Sequence, residues 1–243
     1  MAYGYPRYVS VAEKKEKAIK SYKKLKKKKP DIKPIIIKGR KLARTWWGEA
    51  WNDNLESYSD YSNRLPRGRS YVRHRAILDL KILPKKISAI VHGNRSKPYQ
   101  IDISIKALKK RKWEKISNAC EGKIESLEKL VEGKFPEELA NIFTAQKEGL
   151  FPTPEEISFE CSCPDYASMC KHIAAALYGV GSRLDENPSL FFTLRDVNID
   201  ELISKAVSQK SEKLLKKSDK KSSRVIDEDD ISSMFDIDLN TED

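Results

Sequence analysis

The sequence predicts an α+β fold: an antiparallel β-meander with packed helices, then a small Cys/His-rich β-turn-α unit, then a disordered C-terminal tail. Three observations carry this prediction. Apolar residues alternate with polar ones over short runs between residues 76 and 105, the period of half-buried strands. Before and after those runs, apolar residues recur at helical spacing. Three of the four cysteines and one of the three histidines fall within twelve residues, from Cys161 to His172. The boundaries drawn from these patterns are a basic N-terminal arm at 1–45, an α+β domain with a three-stranded meander and helices at 46–150, the Cys/His unit with C-terminal helices at 151–213, and a disordered acidic tail at 214–243.

Residues 1–9 are aromatic and irregular; their three tyrosines either stack on bases or fold back on the domain. Ser10 followed by Glu13 matches a capping box, so a helix is expected from Ser10 to Lys29, where Pro30 stops it. Its apolar stripe (Val11, Ala18, Ile19, Tyr22, Leu25) is thin and lies amid ten lysines. Ile32–Ile37 reads as a short strand, followed by the basic segment Lys38–Lys41. Thr45 opens a second helix to about Tyr58. In it Trp47 and Trp51, four apart, share a face that serves core packing or, alternatively, stacking on a partner. Asp60–Arg69 reads as a polar loop.

The strands follow. Ala76, Leu78, Leu80 and Ile82 alternate in the first, Lys86–His92 forms the second, and Tyr99, Ile101, Ile103 and Ile105 are in phase in the third. The polar face would carry Arg73, Arg75, Lys81, Arg95, Lys97 and Lys106, either as a nucleic-acid-facing surface or as a solvated one. His74 and His92 have no ligand-like spacing and read as structural. Residues 106–148 show three helical stripes, headed by Leu108, Ile124 and Leu139; Cys120 on the first reads as a small buried hydrophobe. Glu156–Glu160 is a short strand delivering Cys161. Ile173–Tyr178 is a helix closed at Gly179–Gly181, and a last helix is expected from Asp196 to about Lys213. From Lys216 on, the Lys/Ser/Asp-rich composition predicts disorder, with Ile231–Leu239 as a docking peptide or as a mate for the chain's own basic arm.

The Cys/His cluster has the pattern Cys-x-Cys, six residues, Cys-x-His. Cys161, Cys163, Cys170 and His172 supply three sulfurs and one imidazole, a full tetrahedral set for one zinc ion. Pro164 fixes the turn that lets both first sulfurs face one ion. Cys170 precedes the helix and His172 lies in its first turn, where the helix N-terminus favours thiolates. Four protein ligands leave no position for a reacting water, so the ion is structural. The competing reading, unliganded cysteines or a redox pair at Cys161/Cys163, gives the histidine no role.

Composition narrows the function. Charged residues make up 34% and hydrophobic ones 39%, and no apolar run approaches the roughly 20 residues of a membrane span. The N-terminus lacks a signal-peptide core, and four cysteines do not make a disulfide scaffold, so a cytoplasmic protein is expected. The net charge is +11, unevenly spread: residues 1–45 hold sixteen Lys/Arg against three Asp/Glu, whereas residues 227–243 hold eight Asp/Glu and no basic residue. Such an arm attracts polyanions, nucleic acid above all, or is simply a solvated helix face. No nucleophile is paired with a base and there is no Gly-rich phosphate loop, so no enzyme is expected.

Cys161-x-Cys163-x6-Cys170-x-His172, with Pro164-Asp165 between and the apolar helix after, resembles the SWIM-type zinc finger. Thr45–Trp51, Leu65–Tyr71 and Leu177–Arg195 look like segments of prokaryotic SWIM zinc finger family proteins, so the resemblance covers roughly residues 1–205 and leaves the acidic tail outside. It implies zinc binding by Cys161, Cys163, Cys170 and His172, and a role in DNA or protein binding. It also implies partnership with a Swi/Snf-type helicase-like ATPase, and no enzyme activity. Asn52 stands where many such proteins have a cysteine, so functions tied to that cysteine do not carry over. Two functions are therefore expected to compete: a nucleic-acid-binding accessory factor and a protein-interaction adaptor.

Overall fold

A computed structural model describes residues 9–57, 63–120, 123, 129, 137–145 and 147–218. Among them the elements are, in chain order, α1 (Val11–Lys28), α2 (Trp46–Glu56), α3 (Leu65–Arg73), β1 (Ile77–Leu83), β2 (Lys86–Val91), β3 (Tyr99–Ile105), α4 (Lys110–Ala119), α5 (Ala140–Phe143), β4 (Ile157–Cys161), α6 (Lys171–Glu186), α7 (Leu190–Arg195) and α8 (Ile199–Ser218). The fold is the expected mixture of helices and antiparallel sheet. The aromatic N-terminal residues 1–8, most of the stripe headed by Ile124, and the tail from residue 219 lie outside the described residues.

The sheet has four strands rather than three, in the order β1-β2-β3-β4, all antiparallel. Ile101 pairs with Cys161, Ile103 with Phe159 and Ile105 with Ile157, so the strand that delivers the first cysteine is the edge strand of the meander. A period-2 pattern marks a strand but does not say which strand it joins across some fifty intervening residues.

One face of the sheet is apolar. Leu80, Ile82, Ile87, Ala89, Val91, Ile101, Ile103 and Ile105 are all buried on it. Helix α6 lies across that face, touching all four strands and packing against both α2 and α3. Each large side chain buried this fully contributes about 1.5–3 kcal/mol. The opposite face differs from the expected basic surface. Arg73 belongs to α3, Arg75 sits in the turn after it with φ of 59°, and Arg95 and Lys97 lie beyond the end of β2. Lys81 and Lys86 share the polar face with Asp102, Glu160, Ser88, Ser104 and Ser158, a mixed solvated surface.

Other expectations need correcting for local reasons. Ile32–Ile37 runs beside β1 without becoming a strand. The Ile35 N–H donates to Ile77 (3.2 Å) and the Leu80 N–H to Lys33 (3.1 Å), but Pro34 has no donor and the Lys33 N–H goes to Asp79 Oδ1 (2.8 Å). The stretch from Leu65 is a helix, not a loop. Pro66 occupies its first turn, where no intrahelical donor is needed. Gly68 is small because α6 crosses there: a Cβ on it would lie 2.7 Å from Ala174 Cβ and 2.9 Å from the Ala174 backbone carbon. For the same reason α6 does not end at Gly179–Gly181. A Cβ at Gly179 would meet Ile77 and Leu80, both at 2.8 Å, so the glycines permit close packing and the helix continues to Glu186, with Asn187 as its C-cap. Helix α8 starts at Ile199 and runs to Ser218, later at both ends than expected.

The tryptophans pack on the core. Trp51 is buried and its Nε1 donates to the Leu177 carbonyl (2.9 Å), while Trp47 Nε1 donates to the Leu184 carbonyl (3.0 Å). Both fasten α2 to α6. Asp185 on α6 returns the tie by accepting from the Arg44 N–H (2.7 Å) and from the Thr45 backbone (3.1 Å) and hydroxyl. Thr45 in turn caps α2, accepting from the Gly48 N–H (3.3 Å).

Candidate metal centre

The cluster forms where an edge strand ends and a buried helix begins. β4 finishes on Cys161, and the register continues one residue further, with the Ser162 N–H donating to Gln100 O (3.0 Å) and the Gln100 N–H to Ser162 Oγ (2.9 Å). The chain then turns through Pro164 and Asp165, whose carboxylate accepts from the Ala167 N–H (3.3 Å) and pairs with Arg64 (3.3 Å). Cys170 is the N-cap of α6 in extended conformation (φ −84°, ψ 168°), and His172 is the second residue of the helix. The placement expected from the Cys-x-His spacing is the one observed.

All four predicted residues come together. The donor atoms of Cys161, Cys163, Cys170 and His172 lie within 4.8 Å of one another. His172 Nδ1 is 3.7 Å from Cys170 Sγ and 3.9 Å from Cys161 Sγ. A tetrahedral zinc with sulfurs at about 2.3 Å and nitrogen at about 2.0–2.1 Å has donor–donor edges of roughly 3.5–3.8 Å. The donor set therefore fits one zinc in both chemistry and spacing. Cys161, Cys163, Cys170 and His172 Nδ1 would hold the ion, which supplies a cross-link between β4 and α6 and neutralises the thiolates. The remaining residues orient the donors. Cys170 and His172 are buried at 1% and 2% exposure. Tyr99 packs on the imidazole with ring centroids 4.4 Å apart, and Tyr71 meets it edge-on at 5.3 Å. Gly93 makes room for both rings, since a Cβ there would fall 2.2 Å from the Tyr99 ring and 3.0 Å from His172 Nε2.

The electrostatics favour thiolate at one end of the cluster. The Cys170 thiol is held well below the usual thiol range, first by a hydrogen bond from Cys161 and then by His172 and the backbone N–H groups of Ile173 and His172. Cys161 is pushed up, first through that same bond with Cys170 and then by burial, and Cys163 is raised mainly by burial. A divalent ion at the centre of the cluster would favour the thiolate form of all three sulfurs. Tyr71 beside them is pushed up to about 12, mostly by burial, with Tyr99, Cys170 and Cys163 adding to it.

The other candidates resolve simply. Cys120 is 1% exposed, and burial raises its thiol to about 11, as for an inert core residue. His74 and His92 both have their pKa lowered by burial. For His74, the charges of Lys14 and Arg73 add to the effect. Sequence reasoning missed the tyrosine shell and Arg64, because each reaches the cluster only through the tertiary fold. It also passed over Tyr166, which projects fully exposed from the loop between the cysteines; its position inside the motif was the available signal.

With this geometry in hand, comparison with known proteins adds three findings. The SWIM zinc finger family matches residues 160–180, the segment from the end of β4 into α6. An uncharacterized protein of Mycobacterium tuberculosis (strain ATCC 25618 / H37Rv), Rv2102, is 34% identical over 172 residues, which is 70% of this chain and 62% of that relative. The chain thus spans less than two thirds of the relative's length. No solved structure matches the chain.

Proposed function

We propose that this SWIM zinc-finger protein is a nucleic-acid-binding accessory factor, with DNA as its first ligand, acting in the cytoplasm as a binding protein rather than an enzyme. Its zinc is structural. One observation carries the reading: three basic tracts converge. α1 keeps its lysines in solvent while Ala18 seats it on the body. Arg73 at the end of α3 donates to the Arg40 carbonyl (3.5 Å), and Arg44 donates to the Lys38 carbonyl (3.5 Å), gathering the 38–44 loop around it. His74, next in sequence, senses both Lys14 of α1 and Arg73. A basic surface of this kind is suited to phosphates, and it fixes affinity without specifying sequence. Tyr166, on the metal loop, supplies an exposed ring for base stacking.

The test is fluorescence anisotropy of the zinc-loaded protein with labelled duplex and single-stranded DNA and RNA across a salt series. Binding should fall steeply and log-linearly with salt. Exchanging Lys23, Lys24, Lys27 and Lys28 for Gln should flatten that slope. Absence of binding to every probe at low salt sinks the reading.

A second reading is favoured by a different feature. Trp46, Trp47, Leu184, Pro188, Phe191, Phe151 and Thr144 line a shallow apolar depression. A partner protein presenting an apolar face would cover it, and a Swi/Snf-type helicase-like ATPase is the partner that the SWIM resemblance implies. Affinity purification from native cells after nuclease treatment separates the two readings. A partner that survives nuclease and is lost in Trp46→Ala favours the adaptor.

A further inference from the structure

The two ends of the chain carry opposite charge of equal size. Residues 10–29 hold ten lysines against Glu13 and Glu16, a net of +8; residues 227–243 hold eight Asp/Glu and no Lys or Arg, a net of −8. Along α1 the two halves differ. Lys17 pairs with Glu13 (2.8 Å) and Lys20 with Glu16 (2.7 Å). From Lys23 to Lys29 there are six lysines, all exposed and with no acidic residue between them. Among the described residues their one side-chain contact is Lys26 over the Tyr22 ring at 5.7 Å. The helix C-terminus attracts cations weakly, but like charges one turn apart repel by similar amounts. The Lys23–Lys29 face is therefore a charged surface that a polyanion stabilises.

We infer that the acidic segment 227–243 of the same chain docks on the Lys23–Lys29 face of α1 and occupies it until a stronger polyanion displaces it. Charge complementarity selects the occupant: among segments of this length without a basic residue, 227–243 holds the most acidic ones, eight. Reach permits it. From Ser218 at the end of α8 to Asp236 is eighteen residues, up to about 60 Å when extended. A compact chain of this size is roughly 45 Å across. Tethering places the segment at an effective concentration in the millimolar range. A contact of only about 0.1 mM intrinsic Kd is then some nine-tenths closed and weakens a competing ligand about tenfold. The contact itself stands on charge and reach; its consequence for ligand binding rests on the nucleic-acid reading above.

Two measurements on the full-length, zinc-loaded protein test it. The first is zero-length carbodiimide cross-linking at low salt, on a mixture of isotopically light and heavy protein, read by mass spectrometry. Cross-links within one chain from Asp227–Asp230 or Asp236–Asp238 to Lys23–Lys29, lost at high salt, are expected. Cross-links that fall on other lysines, that join light to heavy chains, or that do not form overturn the inference. The second compares DNA affinity of the parent with a full-length variant carrying Asp227→Asn, Glu228→Gln, Asp229→Asn, Asp230→Asn, Asp236→Asn and Asp238→Asn. The variant should bind about tenfold more tightly at low salt and equally at high salt. Equal affinity throughout overturns the competition. If neither protein binds DNA, the nucleic-acid reading fails, and the cross-links alone decide the contact.

Discussion

Helices α1 and α6 are similar in length, 18 and 16 residues, and opposite in burial. α6 has small and apolar residues on all sides and is enclosed by the sheet, α2 and α3. α1 buries only Ala18 and is otherwise a lysine-rich helix in solvent. Both are capped at the N-terminus, but by different chemistry. Ser10 accepts the Glu13 N–H at 3.1 Å, whereas Cys170 occupies the N-cap of α6 without a side-chain cap bond, its sulfur turned to the metal site. The lesson is a division of labour. The helix that starts at the metal site holds the protein together, and the helix that hardly touches the core leaves its lysines to solvent.

The sharpest way to break that comparison is to remove the ion. Zinc-finger peptides gain about 10–16 kcal/mol from their metal near neutral pH, which matches or exceeds the roughly 5–15 kcal/mol that stabilises a whole domain. Because β4 and α6 belong to the main core, chelation or Cys170→Ser should collapse the near-ultraviolet circular dichroism of Trp51 along with the finger. A chelated protein that keeps its tryptophan signal and its thermal midpoint shows instead that the finger melts alone.

A smaller perturbation tests the crossing of α3 over α6. Gly68→Leu should cost about 3 kcal/mol by overpacking, because the nearest atoms include the Ala174 and Ala175 backbone, at 2.9 and 3.0 Å, which cannot step aside. Chemical denaturation measures it; a change under half a kcal/mol would mean that the helices slide freely. Next, Trp51→Phe keeps most of the ring volume but loses the bond to the Leu177 carbonyl. About 1 kcal/mol of stability should go with it, and an unchanged denaturation midpoint would place the tie outside the folding balance. The smallest effect belongs to α1. Ser10→Ala should cost about 1 kcal/mol of local helix stability, visible as faster amide exchange in residues 11–15 with the global midpoint unmoved. A shift in the midpoint would show α1 to be part of the core after all.

The metal site was the most legible part of the sequence because ligand chemistry is local: residue types and short spacings specify it, and Pro164 and the N-cap position of Cys170 follow from the same twelve residues. Helix starts at Ser10 and Thr45 were legible for the same reason, since a cap is a bond over three residues. What escaped was set at a distance. Gly68, Gly179 and Gly181 looked like breaks, but each is small because another element passes against it. Pro66 looked like loop and is a helix start. β4 was visible as a strand, but its place beside β3 depends on partners some fifty-six residues away, as Ile103 and Phe159 are. Pro34 shows the converse: an apolar run that reads as strand is denied the ladder by one missing donor.

The pairing of β4 with β3 also bears on how such a finger could be reused. A zinc finger whose two halves touch only each other can be copied, strung in tandem and moved between proteins. Here the first ligand sits in register with Ile101 and the last on a helix that covers all four strands. Duplicating residues 160–180 alone would yield a second motif with no sheet to join, so this finger depends on its domain's sheet for its first ligand.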